Sequence, residues 1–361
     1  MSDQTGSGER MSRRKLLASA GVAGAAAVAG CSGGSESTKP TTESGSDLES
    51  PEILKGGGSS TVFPIANVAK NYWNRDPAAG SRYWNPAEYG IDTEKNLADY
   101  FGSLYGFQSD GSERSPPFEV TVSLSHSGTG LEKLRKGQLD LGNSSAPVAA
   151  ELSDASESTL DNFTNHVVGV DAQPLVVSRE IYDAGVTQVT IENLRAIYKG
   201  EIDNWSALGG PDEKIQVVGR AKGSGTSTAF RLNVFGDPTA ATPGVDVRKG
   251  QNQQAQSLVA QSSNAIAYLA LKFVKPDGQV PPIDLKIGDT VYAYGKNLDS
   301  KEYPLSRDLH SYTWKGTTRD EAAFLHMILT RYGQDTFVAS NDYLTLSDER
   351  LQAQREKLPD V

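Results

Sequence analysis

Three times in this chain a short apolar run breaks into glycine, serine and threonine and then into a helical pattern. This recurrence limits the fold more than any other feature. The first runs Glu52-Ile53-Leu54-Lys55-Gly56-Gly57-Gly58-Ser59-Ser60-Thr61-Val62, with a helix predicted from about Pro64 to Tyr72. The second takes the strand Val120 to Leu124 into Ser125-His126-Ser127-Gly128-Thr129-Gly130 and a helix from Leu131 to Lys136. The third takes Lys214-Ile215-Gln216-Val217-Val218 into Arg220-Ala221-Lys222-Gly223-Ser224-Gly225-Thr226, with a helix from Ser227 to Phe235 stopped at Gly236. A helix start carries unpaired N–H groups and a partial positive charge, so it attracts anions. Glycine lets backbone approach a ligand, hydroxyls add donors, and the Arg220 guanidinium fits an oxyanion. For any one junction a capped surface turn is the plain alternative, because Ser and Thr cap many helices. Three with the same chemistry, at strand ends where ligands of open α/β sheets gather, point to one anion site.

The N-terminus speaks to compartment. Met11-Ser12-Arg13-Arg14-Lys15-Leu16-Leu17 precedes an uncharged Ala/Gly/Val stretch, Ala18 to Gly30, that is too short to span a bilayer. Val28-Ala29-Gly30-Cys31 ends it. This resembles a twin-arginine export signal, with Arg13 and Arg14 as its pair, joined to a lipoprotein cleavage box. The resemblance implies removal of residues 1–30, a lipid on Cys31 and folding before export. Residues 31–51 are rich in Ser, Gly, Thr and acid and are read as a flexible tether. Cys31 is the single cysteine, which excludes an intrachain disulfide framework and a cysteine-based zinc site.

The residues from 52 onward are more than one core usually holds, so two lobes are expected. The formal net charge of −10 argues against nucleic-acid binding. It also means that an anion must be held by local dipoles and one or two cations.

In combination the motifs resemble the phosphate-binding proteins of ABC importers, lipoproteins of the type II periplasmic-binding-protein class. The resemblance covers roughly Ile53 to Trp314 apart from one insert. It rests on Gly58-Ser59-Ser60-Thr61-Val62; on Ser127-Gly128-Thr129-Gly130 with Gly137 to Ser145; on Thr190 to Trp205; on Gly219-Arg220 with Gly223-Ser224-Gly225-Thr226; and on Asn264 to Tyr268 and Tyr303-Pro304-Leu305-Ser306-Arg307. It implies an α/β fold of two lobes, mixed sheets flanked by helices, joined by two crossover hinge segments. It places the first lobe at about 52–170 and 268–361 and the second at 171–267. By the same resemblance the ligand-binding residues are Ser60, Thr61, Val62, Ser127, Ser145, Arg220, Ser224, Gly225 and Thr226. The resemblance further implies inorganic phosphate as the ligand, a membrane permease as the partner, and an extracytoplasmic monomer held to the membrane by lipid, with no cofactor or metal expected.

Two departures from the family stand out. Many members carry aspartate where this chain has Ser145, and that carboxylate accepts the proton of hydrogen phosphate. A serine oxygen or a neutral His126 can accept in its place, and sulfate, molybdate or tungstate stay open as ligands. His126 is otherwise a plain cap or surface residue. The second departure is Asn74 to Pro117, an insert carrying Tyr83, Trp84, Tyr89, Tyr100 and Phe107. A lid and a partner surface are options for it; a loop with its own small core is preferred.

An enzyme is the rival class. The four histidines show no paired metal spacing, and neither a Gly-x-Ser-x-Gly elbow nor a phosphate-loop motif occurs. A surface phosphatase lacks a visible nucleophile with its base or metal pair. Toward the C-terminus a helix is predicted from about Arg319 to Tyr332, with Gly333 as its stop, and a charged one from Ser347 to Lys357.

Overall fold

The computed structural model describes residues 53–108, 115–300 and 302–360; Arg13, Arg14, Cys31 and the tether lie outside the described residues. The chain begins with β1 (Ile53–Gly58), α1 (Phe63–Arg75), α2 (Leu97–Ser103), β2 (Glu119–Leu124), α3 (Ser127–Arg135) and β3 (Leu141–Ser144). Two short helices, α4 (Val148–Glu151) and α5 (Glu157–Leu160), lead to the long strand β4 (Phe163–Ala172). Next come β5 (Leu175–Val177), α6 (Arg179–Asp183), β6 (Gln188–Thr190), α7 (Ile191–Lys199), β7 (Gln216–Arg220) and α8 (Gly225–Phe235). They are followed by β8 (Val247–Lys249), α9 (Asn252–Ala260), β9 (Ala265–Tyr268), β10 (Pro282–Ile287) and β11 (Thr290–Tyr292). The chain closes with β12 (Ser306–Trp314), α10 (Arg319–Ile328), α11 (Arg331–Gly333) and α12 (Asp348–Arg355).

The strands form two mixed sheets. The first has five strands in the order β2-β1-β3-β12-β4, and the second has seven, β11-β10-β5-β9-β7-β8 with β6 beside β10. In the first, β1 is parallel to β2 and β3, while β12 runs antiparallel to β3 and β4. In the second, β7 is parallel to β8 and β9, and β5 is antiparallel to β9 and β10. Parallel neighbours need crossover helices, and these cover the sheet faces. The chain passes from first sheet to second between β4 and β5, and back between β11 and β12. Sequence reading puts that return at 268. It comes instead at Ser306, because β10 pairs with β5 and β6, and β11 with β10.

Two helices start earlier than predicted. The first turn of α3 is Ser127-Gly128-Thr129-Gly130 itself, and α8 starts at Gly225 rather than Ser227. The small residues are therefore the helix start, not a loop before it. Gly130 shows why size matters: a Cβ there would lie 2.6 Å from the Gly58 Cα and 2.8 Å from the Gly57 carbonyl oxygen. Backbone cannot retreat as a side chain can, so Gly130→Ala is expected to destabilise the fold by about 1–3 kcal/mol in urea denaturation. An unchanged midpoint would mean that α3 does not rest on β1 this closely.

Gly333 is not the left-handed stop the pattern suggests. Its φ is −65°, within the helical range, and a Cβ there would clash with the Met327 and Ile328 carbonyl oxygens. The insert also differs from expectation. Trp84 and Phe107, with Tyr89 and Tyr100 packed against them, do not make a separate small core but join the main one. Trp84 is fully buried with its ring edge-on to Tyr332 at 4.9 Å, and Tyr105 shares a 3.0 Å hydrogen bond with His326 on α10. Asp76 anchors the insert by accepting the Ala98 N–H at 2.6 Å at the start of α2.

Candidate oxyanion-binding site

Each junction is shaped by a strand that ends in a forced turn. Gly58 ends β1 with φ 132°, a conformation open to glycine, and a Cβ there would strike the Asn143 carbonyl. Ser59 then donates its N–H to Asn143 O at 2.9 Å, and the chain turns through Ser60 and Thr61 into α1, with Val62 at its N-cap. His126 is the N-cap of α3 and Ser224 that of α8. None of these three starts has a side-chain cap, whereas Thr190, Thr330 and Ser347 do cap theirs. Ser59 Oγ accepts the Thr61 N–H at 3.1 Å within its own turn, but the Ser60, Thr61, Ser127 and Thr226 hydroxyls bond across the cluster, which weighs against a plain capped turn.

The starts converge. Thr61 from the first sheet and Thr226 from the second meet hydroxyl to hydroxyl at 3.1 Å. The Ser127 hydroxyl accepts the Ser145 N–H at 3.2 Å, and Ser59 donates its hydroxyl to Ser145 Oγ at 3.0 Å. Gly225 faces both: a Cβ there would collide with Ser127 Oγ and lie 2.6 Å from Ser145 Oγ. Only a glycine lets the second half come this near. Ser60, Thr61, Ser127, Ser145, Arg220, Ser224, Gly225 and Thr226 are all buried around this point. Val62 is buried too, but its side chain packs in the core, leaving backbone as its contribution.

Arg220 is held from its own side of the site. Its Nε donates to Lys249 O at 3.1 Å, Nη1 to Asn252 Oδ1 at 2.5 Å and Nη2 to Gly250 O at 2.8 Å. Nη2 also reaches Ser60 Oγ across the seam at 3.4 Å. Burial pushes this guanidinium down to about 10, with Arg307 adding repulsion, so it stays charged at neutral pH. Half-buried His126 lies beside Gly250, and burial followed by the Arg220 charge lowers its pKa, which favours the neutral ring.

Four further residues belong to the cluster and were not picked out as site residues from sequence. Asn252 donates to Ser60 Oγ at 3.3 Å and Thr61 Oγ1 at 3.1 Å while accepting from Arg220. Arg307 donates through Nη2 to Thr61 Oγ1 at 3.2 Å and Thr226 Oγ1 at 3.3 Å, and through Nη1 to Ser145 O at 3.2 Å. Asp171 grips the same guanidinium at 2.6 and 3.0 Å and accepts the Leu271 N–H at 2.9 Å. Burial pushes the Asp171 carboxyl up, against the pull of Arg307. Gln173 donates to Thr226 O at 2.7 Å. For Asp171 there was a signal, one acid inside the apolar run Val167 to Ala172; for Arg307 it was its place in the Tyr303 to Arg307 segment.

Two guanidinium groups against one carboxylate leave one surplus positive charge, ringed by hydroxyls and three helix starts. Such a set can replace the water shell of a multiply charged oxyanion, which a dry apolar pocket could not do. It offers no nucleophile paired with a base. Among the described residues no group of three or more His, Cys, Asp and Glu could hold a metal ion.

The phosphate-binding protein PstS of Bacillus subtilis (strain 168) is 29% identical over 239 residues, spanning 66% of this chain and 75% of that protein. A crystal structure from Clostridium perfringens with bound phosphate superposes at a TM-score of 0.61 and 21% identity, covering 82% of this chain and 100% of that one. An ABC-type phosphate transport receptor from Vibrio cholerae gives 0.54 and 22%, covering 81% and 100%. At those identities the two structures speak to the fold, which is the α/β type II binding-protein fold, its two mixed sheets flanked by helices. The domain model of the PBP superfamily matches residues 103–328, and the chain belongs to that superfamily.

Proposed function

We propose that this protein is a solute-binding protein that captures inorganic phosphate between its two halves and delivers it to the permease of an ABC importer. The observation that carries the reading is the meeting of Thr61 and Thr226 at 3.1 Å, from different sheets, beside the Arg220 guanidinium. Every other member of the cluster is a neutral donor or a balanced ion pair, as a site that binds and releases an anion unchanged requires. The resemblance to PstS of Bacillus subtilis supports phosphate as the anion. One lobe is carried by the β1 sheet and the other by the β5 sheet, with crossovers near Gln173 and Tyr303. Opening and closing about them exposes and buries the anion. The export signal, the lipid on Cys31 and a place outside the cell membrane rest on sequence alone.

Ser145 favours a second reading. With no carboxylate at that position, a fully ionised oxyanion such as sulfate, molybdate or tungstate meets no repulsion there. Calorimetric titration of the fragment from residue 52 onward with phosphate, sulfate, arsenate, molybdate and tungstate decides between them. Stoichiometric phosphate binding without turnover of a phosphate ester is expected. Tighter binding of sulfate than phosphate would overturn the ligand and leave the fold standing.

A further inference from the structure

One acidic side chain at the seam has no part in the cluster described above. Glu151 ends α4, which belongs to the first half and packs against α3 and, across the seam, against α8. Both its carboxylate oxygens are buried, and the donors that face them are the Thr228 hydroxyl and the Gly128 N–H. Oε2 lies over Gly128, 3.3 Å from where a Cβ would stand, one residue from Ser127. Gly128 gives its own N–H to the Gly223 carbonyl of the second half at 3.2 Å. Glu151 is therefore wedged between the starts of the two helices that frame the anion site.

We propose that Glu151 is the proton-coupled group of this site: as the halves close over an anion, its carboxyl is buried between α4 and α8 and takes a proton from solvent. This rests on the anion-capture reading above. The groups that face Glu151 fit the proposal. From α8 come the Thr228 hydroxyl and the Arg231 guanidinium, from α3 the Gly128 N–H, and from β12 Arg307 and Tyr312. The Arg231 Nε is directed at Ser227 O at 3.4 Å, and the Tyr312 hydroxyl oxygen is taken by the Val148 N–H at 3.1 Å. Thr228, Arg231, Gly128 and Arg307 each favour the charged carboxylate, but burial outweighs them and pushes it up to about 7 from 4.5. In an open, solvated cleft the carboxyl keeps its ordinary value.

The sign follows directly. A group whose pKa is raised in the closed form favours that form below its closed value and ceases to do so as pH rises through it. Protonated Glu151 also leaves Arg220 and Arg307 facing Asp171 alone, so the site keeps its surplus positive charge when it meets a dianion. An ionised Glu151 would cancel that surplus. The carboxylate missing at Ser145 is thus replaced by one that responds to the charge of the guest rather than rejecting it.

The test is phosphate titration by calorimetry at several pH values, each in buffers of different ionisation enthalpy, with Glu151→Gln as the comparison. Wild type is expected to take up about 0.9 proton more per anion than the variant at pH 6. The ratio of wild-type to variant affinity should fall about 10-fold between pH 6 and pH 8. Equal proton counts in the two proteins would overturn the proposal while leaving phosphate capture intact. No phosphate binding by wild type at any pH would instead remove the capture reading itself. If Glu151→Gln does not fold, Thr228→Val serves. It removes a donor that favours the carboxylate, so the midpoint of proton uptake should move to higher pH, and an unmoved midpoint counts against Glu151.

Discussion

Replacing Arg220 with alanine is expected to weaken phosphate binding by roughly two to three powers of ten, or about 3–4 kcal/mol. The size comes from the way this side chain is prepared. Three of its contacts, to Lys249 O, Gly250 O and Asn252 Oδ1, are made within the second half and aim the guanidinium before any anion arrives. Nothing must be ordered when the anion binds, so little of the attraction is lost to side-chain entropy. Truncation also frees Asn252, which holds the Ser60 and Thr61 hydroxyls in place. Arg220→Lys separates charge from shape. One ammonium cannot reach all three anchors at once, and a loss between wild type and alanine is expected. Calorimetry reads the affinities and a thermal melt confirms that the variants are folded. Wild-type affinity in Arg220→Ala would put the anion site elsewhere.

The second large effect is on stability. Arg307→Met should lower unfolding free energy by about 3–5 kcal/mol, because it strands the buried Asp171 carboxylate. The pair is almost wholly shielded, with side-chain exposures of 4% and 0%. Surface pairs such as Arg331–Asp348, at 48% and 80%, contribute far less. The double variant Asp171→Asn, Arg307→Met removes both charges and should recover most of the lost stability. It should not recover phosphate binding, since the donors to Thr61 and Thr226 are gone. Urea denaturation of both variants, read beside calorimetry, tests this. Full stability in Arg307→Met would mean that Asp171 is already neutral or has another partner.

Sequence made some parts of this site legible and hid others for a physical reason. Ser60, Ser127 and Ser224 could be found because small hydroxyl residues at a strand end are a local signal. The helices at Ser127 and Ser224 began earlier than predicted because glycine and serine, poor helix formers by propensity, are tolerated in a first turn that must lie close to other backbone. The Arg307–Asp171 pair joins residues 136 positions apart, and no local pattern announces a partner at that distance. Asn252 opens a helix of polar sequence, and what sets it apart is the guanidinium of another element. The late return to the first sheet was hidden for a similar reason. The membership of β10 and β11 is decided by pairing with β5, a strand over a hundred residues earlier. Trp84 and Tyr105 showed that an insert rich in aromatic residues need not supply its own core when a neighbouring helix offers one.

Gln173 sits between the last strand of the first sheet and the first strand of the second, and its side chain holds the Thr226 carbonyl at 2.7 Å. Its own carbonyl is held by the Tyr303 hydroxyl at 2.9 Å, and its N–H by Leu305 O at 3.0 Å, both on the returning segment. Fulcrum and receptor are therefore a single mechanical part. On the capture reading, the two halves could not swing without tugging the very turn that greets the guest, so news of an occupied or empty cleft would need no long relay to reach the axle.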